Sequence, residues 1–332
     1  MHSRKPWRLA GAVAAALVLA TACGSGDSGG KDAGAAGTRV FEADNGKVTI
    51  PAEPQRVVAT GYAVPALIEA DAKLVGISSW KRGLPLMTDE DRKTYDGLSK
   101  VAGETAAETN YEAIATAKPD LIVIGVPKPA LGDLDMKRLE TIAPVAVIGP
   151  TVPSAWRELS RRQADAAGQS GNLEKAKADY EKKAAELKAK YKDALAGLKF
   201  GHVGAYGDVS AGTFMREFAG SWGTNIAGDV GLDYPGTVKK KGGGAADVSE
   251  YPSIEELPDS LGDVDAVTYS VQPDGTPAEA VKYALDSKLW KNLPAVKSGK
   301  TFGIRYTEAA TYASAMRTLD AIDEALAPLL KK

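Results

Sequence analysis

Cysteine occurs once in 332 residues, at Cys23. No disulfide can form in the chain beyond it, so that part is held by packing alone. Histidine occurs twice, at His2 and His202. A site for bare zinc or manganese gathers imidazoles, thiolates and carboxylates, and a single imidazole without a thiolate argues against one. Lys and Arg number 41 against 43 Asp and Glu, a net charge of −2, which lacks the basic footprint of a nucleic-acid binder. Past the first two dozen residues no apolar run reaches the roughly 20 residues of a membrane-spanning helix. There is no His-Glu-x-x-His, no phosphate loop and no Ser-His-Asp arrangement in a fitting context, so catalysis is the disfavoured class.

The N-terminal segment is distinctive. Arg4, Lys5 and Arg8 stand without an acid among residues 1–8, and residues 9–22 are almost wholly apolar or small. That run, about 14 residues, is too short to span a bilayer. A basic start, a short apolar stretch and small residues before a cut describe a secretory signal over residues 1–22. The cut site Leu19-Ala20-Thr21-Ala22-Cys23 resembles a bacterial lipobox, which implies lipid on Cys23. Residues 24–37 are small and polar and read as a flexible tether. These features predict an extracytoplasmic protein anchored to the outer face of the cell membrane, of Gram-positive type.

About 295 residues follow the tether, which suits two lobes better than one core. Residues 56–60, 74–77, 120–125 and 145–148 are short apolar runs and read as strands. Residues 65–72, 111–117 and 136–142 between them read as helices. Continuous apolar strands alternating with helices indicate a parallel sheet covered on both faces. Residues 154–167 are amphipathic. Residues 173–198, rich in Ala, Lys, Glu and Leu with no Pro, predict one helix roughly 37 Å long. The alternation then restarts, with strands at 201–206, 265–270 and 301–305 and helices at 224–230, 254–257, 278–286 and 312–330. The expected fold is α/β: two Rossmann-like lobes with mostly parallel sheets, residues 38–170 and 198–332, joined by a backbone helix over 171–197. The Lys239-Lys-Lys and Gly242-Gly-Gly run reads as a mobile, solvated surface loop.

Several stretches in this order resemble the helical-backbone class of solute-binding proteins of ABC importers, which serve ferric siderophores, haem and vitamin B12. Ile50-Pro51-Ala-Glu-Pro54-Gln-Arg56-Val-Val is similar to that family's entry into its first strand. Asn110-Tyr-Glu112-Ala-Ile114 through Lys118-Pro119-Asp120-Leu-Ile122 is similar to its most recognisable internal motif. Ile142-Ala-Pro144-Val, Gly231-Leu-Asp-Tyr-Pro235 and Ser253-Ile-Glu255-Glu-Leu257 match further segments. The resemblance covers nearly the whole chain after the tether. It implies a monomeric, non-enzymatic binder that holds a bulky ligand in a shallow inter-lobe cleft and docks on an ABC permease. It also implies that Glu112 and Glu255, one per lobe, meet arginines of the permease. Both also suit a helix start, where the macrodipole favours a carboxylate.

In parallel sheets ligands sit beyond the carboxyl ends of the strands. Those positions select Tyr62, Trp80, Lys81 and Arg82 in the first lobe. In the second they select Tyr206, Trp222, Gln272, Arg305, Tyr306 and Tyr312. Relatives that take anionic catecholate chelates carry arginines at the positions matching Trp222 and Gln272. A triply negative ligand would want several charge-assisted hydrogen bonds. Aromatic walls with a few donors suit a neutral or positive ferric hydroxamate of ferrioxamine type. The expected ligand is thus a ferric siderophore, with no intrinsic cofactor and no metal bound directly by the protein. Haem or a corrinoid is the alternative on the same scaffold, an axial Tyr being open to haem.

Overall fold

The structure, a computed structural model, describes residues 37–330. The signal over 1–22, Cys23 and nearly all of the tether lie outside the described residues.

The first lobe opens with a hairpin, β1 (Thr38–Ala43) and β2 (Gly46–Pro51). Its alternating pattern buries Phe41 and Ile50 and leaves Val40 in solvent. The sheet of this lobe comprises β3 (Val57–Gly61), β4 (Leu74–Ser78), β5 (Lys100–Ala102), β6 (Leu121–Gly125) and β7 (Val145–Val147). Their spatial order is β5-β4-β3-β6-β7, all parallel. Four helices belong with it: α1 (Ala63–Glu69), α2 (Asp89–Gly97), α3 (Tyr111–Ala117) and α4 (Met136–Glu140).

Strand alternation sorts side chains into two apolar layers. Val57, Ala59, Leu121 and Val123 join α1 residues in one cluster. Their neighbours Val58, Ile122 and Ile124 join Ile114 of α3 and Leu139 of α4 in the other. This is why β6 reads as an unbroken apolar run.

Helix α5 (Trp156–Ala166) leads to α6 (Ser170–Leu195), the 26-residue backbone helix, which starts one residue and ends two residues before the expected span. The second lobe holds β8 (Phe200–Val203), β9 (Arg216–Glu217), α7 (Trp222–Val230), β10 (Ser249–Glu250), α8 (Leu257–Leu261) and β11 (Ala266–Val271). Then follow α9 (Glu279–Asp286), α10 (Lys288–Asn292), α11 (Pro294–Lys297), β12 (Thr301–Arg305) and α12 (Tyr312–Leu326). The sheet order is β10-β9-β8-β11-β12. Strands β8, β11 and β12 are parallel, and β9 pairs antiparallel with both β8 and β10. The fold is therefore α/β, with two lobes of mostly parallel sheet joined by a long helix.

Several segments depart in length from the sequence reading, two of them in the second lobe by three residues or more. The strand expected over 201–206 spans Phe200–Val203. The closing helix ends at Leu326 and continues as a 3-10 turn to Leu330.

The lobes are fastened behind the cleft. Trp156 Nε1 donates to Asn225 Oδ1 at 3.0 Å, and Arg157 pairs with Asp229 of α7. The Ser154 amide donates to the Gly220 carbonyl at 3.0 Å. Arg317 of α12 donates to the carbonyls of Met87 (2.6 Å) and Pro85 (3.1 Å). Glu69 of α1 accepts from the Tyr312 amide at 3.1 Å and from the Ala313 amide, at the start of α12. Burial outweighs these two bonds and pushes the Glu69 carboxyl up to about 7. Among the described residues no helix is long and apolar enough to cross a membrane.

Candidate functional site

The cleft runs along the carboxyl ends of both sheets, and glycines set its walls. Gly61 ends β3 at φ +60°, a left-handed conformation that a side chain rarely adopts. A Cβ there would lie 2.6 Å from the Gly125 carbonyl oxygen. That carbonyl accepts the Tyr62 amide at 2.8 Å, which fixes Tyr62 at the start of α1. In the second lobe a Cβ on Gly223 would lie 2.0 Å from His202 Nε2. Only glycine lets the first turn of α7 settle on that imidazole and set Trp222 at its rim.

These two devices bring rings from opposite lobes face to face. Tyr62 and Trp222 are nearly parallel, at 9°, with centroids 6.2 Å apart. Trp80 meets Tyr62 edge-on at 4.8 Å. Arg82 covers both, its guanidinium carbon 4.1 Å from the Trp80 ring and 5.0 Å from the Tyr62 ring. Such contacts contribute about 0.5–2 kcal/mol each. Burial raises the Tyr62 phenol, with Arg82 acting in the opposite sense.

Two inter-lobe cavities flank this cluster. One, about 280 Å³, is lined by Arg82, Tyr206, Gln272, Tyr306 and Glu308 among others. The second, about 560 Å³, lies between Tyr62, Trp156 and a proline-rich rim on one lobe and Trp222 with residues 242–245 on the other. The rim comes from Pro127, Lys128 and Pro129 after β6 and from residues 150–153 after β7. Arg82 and Lys128 are the cations of the two linings, and Glu308 is their carboxylate.

Of the residues selected from the sequence, Tyr62, Arg82, Tyr206, Trp222, Gln272 and Tyr306 line these cavities. Trp80 is buried beneath Arg82, with its amide donating to Tyr95 Oη at 2.9 Å. Lys81 is exposed and lies outside both linings. Two residues stand away from the cleft. Arg305 pairs with Glu324 of α12. Tyr312 is buried among Trp156 and Tyr180, at 4.9 and 5.6 Å between centroids, in the core behind the cleft.

Glu112 and Glu255 are both exposed. Glu112 sits in the first turn of α3, and Glu255 in the 3-10 turn Ile254–Glu256. The chain enters both segments from the carboxyl ends of strands running parallel to their lobe's main direction, β5 and β10. Neither carboxylate lines a cleft cavity.

Sequence reasoning missed three features of the site: Glu308, the proline rims and the glycine loop as a wall. The lysine–glycine run is not only a solvated loop. Lys239 pairs with Glu256 at 2.6 Å, and the glycines face the larger cavity.

Beneath Trp222 lies a buried polar network. His202 Nδ1 lies 2.8 Å from Thr268 Oγ1, and Nε2 lies 3.1 Å from Ser270 Oγ. Burial pushes its pKa down to about 3, aided by Arg216. Both ring nitrogens are engaged inside the protein, so this histidine cannot serve as a ligand at the cleft. Glu217 accepts from the Gly223 amide at 2.6 Å, and burial pushes its carboxyl up to about 7. Among the described residues no group of three or more His, Cys, Asp or Glu could hold a metal ion.

Comparison with known proteins agrees with this geometry. The chain is 27% identical over 305 residues to "Iron(3+)-hydroxamate-binding protein YxeB" of Bacillus subtilis strain 168, covering 89% of this chain and 87% of that one. It is 29% identical over 303 residues to "Iron(3+)-hydroxamate-binding protein FhuD" of the same organism, covering 89% of each. Among solved structures, the siderophore periplasmic binding protein from the fuscachelin gene cluster of Thermobifida fusca superposes with a TM-score of 0.66. It is 29% identical, with 84% of this chain and 98% of that one covered. A model of the periplasmic binding protein family matches residues 57–306. Two parallel-sheet lobes, a backbone helix and an aromatic inter-lobe cleft thus come with a family match over most of the chain, which belongs to the periplasmic binding proteins, a family of binders and not of enzymes.

Proposed function

We propose that this protein is a lipid-anchored extracytoplasmic receptor that captures a ferric siderophore in its inter-lobe cleft and delivers it to an ABC permease. The preferred ligand is a ferric hydroxamate of ferrioxamine type. The observation that carries this reading is the make-up of the cleft. Its cavities are walled by Tyr62, Trp222, Tyr206, Tyr306 and prolines, with one arginine, one lysine and one carboxylate. A triply anionic chelate would meet little compensating charge there, while a neutral chelate would meet aromatic faces and a few donors. The names of the two Bacillus relatives point the same way. Glu112 and Glu255, exposed on separate lobes, are suited to meet cationic pockets of a permease, and lipid on Cys23 would hold the receptor beside it. As a monomer the receptor would present both carboxylates to one permease dimer.

The test is quenching of tryptophan fluorescence, since Trp156 and Trp222 line the larger cavity and Trp80 lies directly beneath Arg82. A panel of ferrioxamine, ferrichrome, a ferric catecholate, ferric citrate, haem and cobalamin should quench with a ferric hydroxamate first. Tight binding of the catecholate alone would sink the hydroxamate reading.

A further inference from the structure

We infer that Glu308 is the seat for a cationic group carried by the ligand, a primary ammonium projecting from an otherwise neutral ferric chelate. This rests on the hydroxamate reading and goes beyond it.

Glu308 follows β12 and is shared by two spaces. It lines the 280 Å³ cavity, and it also lines a small recess beneath, beside Trp80, Thr311 and Ser314. Its carboxylate accepts one hydrogen bond, from Tyr206 Oη at 2.8 Å. A carboxylate offers about four lone-pair positions, so one bond leaves most of them free toward the cavity. Among the described residues Glu308 has no ion pair within 4.0 Å. Arg82 tempers its charge from a distance, but that guanidinium is committed to the ring faces of Trp80 and Tyr62. The buried Glu217 feels the charge of Glu308, so a second acid stands behind the first. A mostly enclosed carboxylate without a paired cation is costly unless something compensates it.

An ammonium supplies that compensation. It carries three donors, and the lining offers acceptors beside Glu308 in the Tyr206 hydroxyl, the Thr307 hydroxyl and the Gln272 amide. The same carboxylate repels an anionic chelate. One residue would thus select for a pendant amine and against catecholates.

The experiment uses the whole protein and two ferric chelates, a linear trihydroxamate with a free terminal amine and the same trihydroxamate N-acetylated. Affinities are measured by fluorescence titration at pH 7. The wild type should bind the amine form about tenfold more tightly than the acetylated form, and Glu308→Gln should erase that ratio. Glutamine still accepts from Tyr206, so a purely structural latch would leave the ratio intact. Tyr206→Phe keeps the charge and should keep the preference. A preference that survives in Glu308→Gln, or one lost in Tyr206→Phe alone, overturns the inference. Equal binding of both chelates by the wild type overturns the inference alone, whereas binding of neither overturns the hydroxamate reading with it.

Discussion

Replacing Glu217 by glutamine should change how stability responds to pH, and the size of the change follows from its surroundings. The carboxyl is enclosed beneath Trp222, and its pKa moves from an ordinary 4.5 to about 7 on folding. Between those values the folded protein holds a proton that the unfolded chain has released. Stability therefore falls as pH rises through that window. At about 1.4 kcal/mol per pH unit, Glu217 removes up to about 2–3 kcal/mol between pH 5 and pH 7.5. Glu69, also raised to about 7, acts in the same direction. His202 acts oppositely: it is neutral in the folded protein down to about pH 3, so its contribution is lost as pH falls below the ordinary histidine value. Glutamine keeps an acceptor for the Gly223 amide and does not titrate. Urea unfolding at both pH values should show Glu217→Gln gaining about 2–3 kcal/mol relative to wild type on going from pH 5 to pH 7.5. Parallel stability curves for the two proteins would refute the assignment of a buried, proton-holding carboxyl at this site.

Two further outcomes follow. Gly61→Ala should lower stability by about 1–3 kcal/mol in thermal unfolding, because its φ is +60° and its Cβ would strike the Gly125 carbonyl. It should also weaken ligand binding, because Tyr62 is fixed by that same turn. Glu112→Ala combined with Glu255→Ala should abolish uptake into cells while leaving affinity for the ferric chelate unchanged in titration. A fall in affinity would mean that these residues act on the ligand or the fold and not on a permease.

Much of the architecture was legible because buried parallel strands and a Pro-free Ala/Lys/Glu helix announce themselves. The segments that escaped carry weaker signals. Helix α2 has nine residues of which Tyr95 is the buried one, so it shows no apolar stripe; its start is marked by Thr88, which accepts the Asp91 amide. The first hairpin was marked by Asp44-Asn45-Gly46 between alternating runs, a turn signal that went unused. The site was legible as far as topology reaches, since strand ends deliver Tyr62, Arg82, Tyr206, Gln272 and Tyr306 to one edge. Topology alone does not say which way a side chain leaves its strand. Arg305 crosses to Glu324 instead. Tyr312 could have been assigned correctly from spacing: Tyr312, Ala315, Leu319, Ile322 and Leu326 recur every three or four residues and form the buried stripe of α12. Glu308 had no such signal, because nothing in sequence tells an enclosed glutamate from a surface one. The proline rims and the glycine loop owe their place to the way the lobes meet.

The central claim is that ligand is held in the inter-lobe cleft, whose larger cavity is walled by Tyr62 and Trp222. The most direct test is calorimetric titration of a ferric trihydroxamate into wild type and Trp222→Ala. Trp222 is half-buried at the rim, so the variant should fold with little loss of thermal stability. Loss of an aromatic wall should weaken binding at least about tenfold, with one chelate bound per protein in the wild type. Unchanged affinity in a folded Trp222→Ala protein would contradict the account.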